Sequence, residues 1–200
     1  MLKKLKKTLT LSEIYNKKID TSDIAKLELI KDEMIDEMKK PVGWHTMGVP
    51  LVASCFLALF SFIIPQVSFW KGIYALMGWP QYALMIGIMV SAFSYAFLIV
   101  LSLFFVAKGS YLFLKFHLVI LSITTLSSLL FIIYCFFSAL ADSDVHVLLF
   151  GLSFAGVFAA YLSFKCLDTS IFYRMIAYCL HNRAWRKQIE MQRKKPHLVK

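Results

Sequence analysis

At 200 residues, 59% of them apolar and only 17% charged, the chain is far from the composition of a soluble domain. Its net charge of +10 is also segregated: acids and bases crowd the part before Pro41, bases crowd the part after Phe164, and the long stretch between carries only Lys71, Lys108, Lys115, Asp142 and Asp144. A soluble core cannot enclose so long a nearly uncharged stretch, whereas lipid can, which points to an integral membrane protein.

The chain starts MLKKLKKTLTLSEIYNKK, a basic segment with no apolar run behind it, so it does not read as a secretory signal, and the first spanning helix is expected to act as its own targeting signal. Leu2, Leu5 and Leu9 with their lysines form a basic amphipathic turn suited to anionic lipid headgroups. Asp20 to Lys40 then reads as an amphipathic helix. Thr21, Ser22 and Asp23 are N-cap candidates, Pro41 follows the last turn, and Ile24, Leu27, Ile30, Met34 and Met38 form an apolar stripe opposite Lys26, Asp32, Glu33 and Asp36. A helix of this length is marginal alone in water, so the stripe needs the other tail, a second subunit or a partner to pack on.

Four spans follow, at about 49–70, 83–107, 116–140 and 147–165, giving an all-α, four-helix transmembrane bundle (48–166) between an N-terminal tail (1–47) and a basic C-terminal tail (167–200). Pro65 lies near the far end of the first span, and Trp70 and Trp79 flank the connection Lys71–Pro80 as interfacial anchors. Lys108 to His117 marks a tight turn between the second and third spans. In the fourth span Gly151, Ala155, Ala159 and Ser163 fall four apart, with Gly156 and Ala160 beside them, a small-residue stripe for close helix packing whose expected neighbour is the third span. Gly87, Ser91 and Tyr95 make a weaker stripe in the second span.

The lysine-rich N-terminal tail, the two lysines of the Lys108–Lys115 turn and the basic C-terminal tail lie on one side of these spans, while the opposite loops carry Lys71 alone. By the positive-inside rule both termini are expected in the cytoplasm, and a bacterial inner membrane is the expected location. The outer tip ADSDVH holds Asp142 and Asp144, the only acidic residues between Glu37 and Asp168. They read chiefly as a polar turn in which Asp144 caps the fourth span, and secondarily as candidate contacts for a partner on the outer face.

After the fourth span, Asp168, Thr169 and Ser170 are helix-start residues. Phe172, Met175, Ile176 and Cys179 recur at helical spacing among Arg174, Arg183, Arg186 and Lys187, a pattern resembling an interfacial helix with a polybasic tail. The four cysteines show no CxxC or Cys/His spacing and read as apolar fillers, so no metal or other cofactor is expected. The basic charge follows from topology and no nucleic-acid module is present, so nucleic acid is not an expected partner.

An enzyme inside a bilayer shows itself through ionisable residues at membrane depth, and none lies in the middle of any span. No HExxH, GxSxG, Walker or GxGxxG sequence occurs. The expectation is therefore a non-enzymatic protein that recognises another membrane protein or itself, in the manner of bacteriocin immunity proteins or plasmid exclusion proteins. The alternatives are an accessory subunit of a secretion or conjugation machine, and a small channel lined by the polar band Ser122, Thr124, Thr125, Ser127 and Ser128 of the third span. The loop charges predict that a cysteine introduced at Ser143 reacts with an impermeant maleimide from outside the cell while one at Ser110 does not; the reverse pattern overturns the topology.

Overall fold

The structure, a computed structural model, describes residues 2–39, 43–80, 82–141 and 147–194, less the side chains of Ala141, Val147 and Leu148. Among the described residues the chain is all helical: α1 Lys3–Thr21, α2 Ile24–Met38, α3 Val49–Met77, α4 Ala83–Ala107, α5 Tyr111–Ala141, α6 Val147–Leu167 and α7 Ser170–Lys194. Helices α3 to α6 are each long and apolar enough to cross a membrane, as a multi-pass bundle requires.

Two spans are longer than the apolar runs suggest. Helix α3 continues through Lys71 to Met77, because KGIYALM contains no residue that stops a helix. It ends where Gly78 takes a left-handed conformation (φ 64°) and the Trp79 amide bonds back to the Tyr74 carbonyl at 3.1 Å. Helix α5 starts at Tyr111 rather than near Phe116, so Lys115 and His117 lie within it. The turn into it is only Lys108–Ser110. Gly109 at φ 80° allows the paired Schellman bonds Gly109 N–H to Val106 O (2.8 Å) and Ser110 N–H to Phe105 O (3.1 Å).

The chain divides into two compact units. The spanning unit comprises 53–101 and 117–165. Several of its buried hydroxyls tie one helix to another. The Ser54 and Ser163 hydroxyls are 2.8 Å apart, joining α3 to α6, and Ser163 also reaches the Ser54 carbonyl at 2.9 Å. The Ser61 and Ser128 hydroxyls are likewise 2.8 Å apart and join α3 to α5. That second pair has a particular cause. Pro65 has no amide hydrogen, so the Ser61 carbonyl one turn before it has no helical donor. The Ser128 hydroxyl lies 3.4 Å from that carbonyl, and α3 runs through the proline.

The α4 stripe is used in full. A Cβ on Gly87 would come within 2.7 Å of the Trp70 ring, which therefore packs directly on the α4 backbone. Ser91 accepts from the Trp70 indole at 3.2 Å and donates to Gln66 at 2.9 Å. Tyr95 bonds Thr124 of α5 at 2.6 Å and stacks on Phe62 of α3 with ring centroids 3.9 Å apart.

Most of the polar band on α5 is hydrogen-bonded, while Ser127 lines a cavity beside α3 and α4. Ser122, Thr124 and Thr125 bond the carbonyls of Leu118, Ile120 and Leu121 on their own helix, and Ser128 is engaged with Ser61. On α6, Gly156, Ala159, Ala160 and Ser163 are buried, Ala155 is half-buried and Gly151 is exposed. Two residues of the stripe meet α3: Ile64 lies 3.3 Å from the position a Gly156 Cβ would take, and Ser163 is bonded to Ser54. Ala159, 3% exposed, has no room for a larger side chain, whereas Leu152 is 40% exposed. Ala159→Leu should lower thermal stability in detergent by about 1–3 kcal/mol, the usual range for overpacking, and Leu152→Phe should leave it nearly unchanged. Equal melting of the two variants would remove the packing role assigned to α6.

Candidate interaction site

The second unit gathers both chain ends with residues 102–116. Helix α7 packs against α1 and α2. The core is Leu5, Leu11 and Ile19 of α1, Leu27, Ile30, Met34 and Met38 of α2, and Phe172, Met175, Ile176, Cys179 and Leu180 of α7. The α2 stripe thus packs on the other tail. The apolar stripe Phe172, Met175, Ile176 and Cys179 of α7 is buried in protein, because two amphipathic helices from the N-terminal tail cover it, while Ile171 and Trp185 stay exposed. Burial pushes the Cys179 thiol up to about 12, so it stays protonated and unreactive.

Helix ends are joined by long-range polar bonds. Helix α1 has no side-chain cap of its own at Leu2; instead the Asp168 carboxylate accepts from the Leu5 amide at 2.9 Å. Thr169 caps α7 by accepting from the Phe172 amide at 3.1 Å. At the other end of the unit, three α7 cations meet carbonyls at the C-terminal ends of α1 and α4. Arg183 donates to Gly109 O at 3.0 Å, to the Asn16 side-chain oxygen, and to Asp20 at 2.9 Å. Arg186 donates to Lys108 O at 2.9 Å, and Lys187 to the Ile19 and Asp20 carbonyls, both at 2.6 Å. Asn16 donates in turn to Gly109 O at 3.0 Å. Gly109 must be glycine here, since a Cβ would come within 2.8 Å of the Cys179 carbonyl oxygen. These bases are held by carbonyls where the sequence suggests lipid headgroups.

Tyrosines and glutamates seal the seams between helices. Tyr111 donates to Glu13 at 2.9 Å, Tyr15 to Glu33 at 2.7 Å, and Tyr173 to Glu37 at 2.8 Å, while Gln188 donates to Glu28 at 2.7 Å. The Tyr111 hydroxyl, aided by Lys17, holds the Glu13 carboxyl below the usual carboxylate range. Burial and the Glu33 carboxylate push Tyr15 up to about 12, and burial with Glu37 raises Tyr173, so both phenols remain donors at neutral pH.

With those acids engaged, the side of α2 turned away from its buried stripe carries Ala25, Leu29, Asp32 and Asp36, all exposed. Leu29 is 64% exposed. Among the described residues neither Asp32 nor Asp36 has an ion-pair partner. Asp32 and Asp36 give this face an acidic end, with Lys26 exposed near its start, on a chain of net charge +10.

The outer-tip residues Asp142 and Asp144 lie outside the described residues. Among the described residues no group of three or more His, Cys, Asp or Glu side chains could hold a metal ion. Asn16, Gly109 and Arg183 join in this site without a motif that marks them as a set. A signal for Asn16 is present: Thr8, Ser12 and Asn16 recur every four residues on the buried side of α1, a polar row where solvent-facing residues would be random. No protein-family model matches the chain, and neither a curated protein nor a solved structure is similar to it.

Asp168→Ala should cost about 1 kcal/mol as a lost cap, and Arg183→Ala about 1–3 kcal/mol because the Gly109 carbonyl and Asn16 lose a charged donor. Hydrogen exchange read by mass spectrometry should show faster exchange at the start of α1 in the first variant and at Asn16–Thr21 and Lys108–Tyr111 in the second. Unchanged protection in both would contradict the capping roles.

Proposed function

We propose that this is a non-enzymatic multi-pass membrane protein that acts by recognising another protein, with the α2 face as its docking surface. The observation that supports this reading most is the exposed Leu29 set among Asp32 and Asp36, carboxylates without ion partners among the described residues of a chain of net charge +10. An acidic face is repelled by anionic lipid and attracted to a basic segment, and an exposed leucine supplies the apolar anchor such a contact needs. The partner that fits is a basic amphipathic segment of a membrane protein. A bacteriocin immunity protein or a plasmid exclusion protein would act by such recognition, and an accessory subunit of a secretion or conjugation machine is the alternative reading. The loop charges favour cytoplasmic termini, which would put α2 in the cytoplasm, and the lysine-rich, cysteine-poor composition favours a bacterial inner membrane. Lys3, Lys4 and Lys6 are exposed and can meet anionic headgroups, while Lys7 lies over the Tyr173 ring at 4.5 Å.

A photo-crosslinking amino acid at position 29, expressed in the native host, should give one defined adduct. The same group at Phe97, an exposed position on a spanning helix, should not. Asp32→Lys with Asp36→Lys should abolish the position-29 adduct at normal abundance. An adduct that survives the charge reversal, or none at all in the unaltered chain, would reject the docking face.

A further inference from the structure

Residues of α1 and α7 and the lysine that ends α4 line a shallow pocket of about 410 Å³ whose wall is almost wholly charged. Lys108, Arg183, Arg186 and Lys187 face two acids there, Asp20 and Glu190. Four cations against two carboxylates leave the wall two positive charges in surplus. Both acids are also engaged: Arg183 holds Asp20 at 2.9 Å, and Lys194, from outside the wall, holds Glu190 at 2.6 Å. Among the described residues Lys108, Arg186 and Lys187 have no carboxylate within ion-pair distance. Backbone carbonyls fix where Arg186 and Lys187 point, but a carbonyl is neutral and cancels no charge. Capping therefore explains the placement of these bases and leaves their mutual repulsion unanswered.

The position of the pocket decides which anion can answer it. Lys108 follows directly on Ala107, the last residue of the α4 span. Its ammonium lies 4.1 Å from the centre of the Phe104 ring, one turn back along the helix, and that ring is 52% exposed. A lysine that ends a span and folds over an exposed ring belongs at headgroup level, with its stem among acyl chains and its charge among phosphates. We infer that this pocket binds the phosphate of an anionic phospholipid. Arg186 offers a planar fork to the phosphate oxygens, and Lys108 and Lys187 offer compact charges beside it. A zwitterionic headgroup brings its own cation to the same wall and is disfavoured. The site is separate from the docking face on α2 and does not depend on it.

The test is native mass spectrometry of the full chain in detergent micelles, titrated with dioleoylphosphatidylglycerol or dioleoylphosphatidylcholine. Phosphatidylglycerol should bind saturably and about fivefold more tightly or better. Lys108→Gln should weaken that binding about fivefold, the scale of one basic residue at an anionic surface, and should keep its helicity because the side chain is exposed. Arg186→Gln is a second variant expected to show the same loss. Lys26→Gln removes an equal charge from the exposed side of α2 and should change nothing. Equal retention of the two lipids would overturn the proposal, as would equal losses in Lys108→Gln and Lys26→Gln, which would mean attraction by net charge alone. Glycerol phosphate, the same anion without acyl chains, should displace the lipid only in large excess. Displacement at equal concentration would assign the pocket to a soluble phosphate and overturn the lipid assignment.

Discussion

Each helix leaves unsatisfied carbonyls at its C-terminal end, and in the three-helix unit α7 supplies the donors. Arg183, Arg186 and Lys187 follow one another along one side of α7 and close the ends of α1 and α4. Cations at helix C-termini are favoured by both hydrogen bonding and the helix dipole. The arrangement depends on Gly109, because only a residue without a side chain lets the α4–α5 turn lie against the α7 backbone. Asn16 then fits because the same turn presents a carbonyl to it. The basic composition of α7 is therefore in large part structural.

The spanning unit solves a different problem with different chemistry. Where apolar burial gives little preference between helix and lipid, hydroxyl pairs and close backbone approach hold neighbours together. Ser54 with Ser163, Ser61 with Ser128, and Tyr95 with Thr124 each join two helices without placing a charge at membrane depth. Pro65 strengthens one of these ties, since the carbonyl it leaves unmatched receives Ser128. A proline that reads as an interruption thus becomes a cross-link.

Fold class was plain in the sequence because four long apolar runs have few other solutions, and the α2 stripe was plain because its spacing is regular. The ends of α3 and α5 were less so: lysines at 71 and 115 resemble boundaries in a hydropathy profile, yet a single exposed lysine does not stop a helix. The contact of α6 with α3 was also hidden, because a short connection favours the sequence neighbour, whereas Gly156 and Ser163 meet Ile64 and Ser54 of α3. Least legible were residues whose roles exist only in three dimensions. Asp168 looks like a cap for the helix that follows it and caps α1 instead, and Gln66 is one uncharged polar residue among many apolar ones until Ser91 and Trp70 are seen around it.

The bond from Asp168 to Leu5 joins positions 163 residues apart, and the Lys187 contacts with α1 span a similar separation. Helix α1 therefore leaves the ribosome long before its binding partner α7 is translated. Until four spans have entered the membrane and α7 has emerged, α1 and α2 expose Leu11, Leu27 and Met34 with nothing to cover them. Synthesis carries a long interval in which the N-terminal tail is open to chaperones and proteases. Loss of α7 by early termination would leave a chain able to insert but unable to close its first two helices.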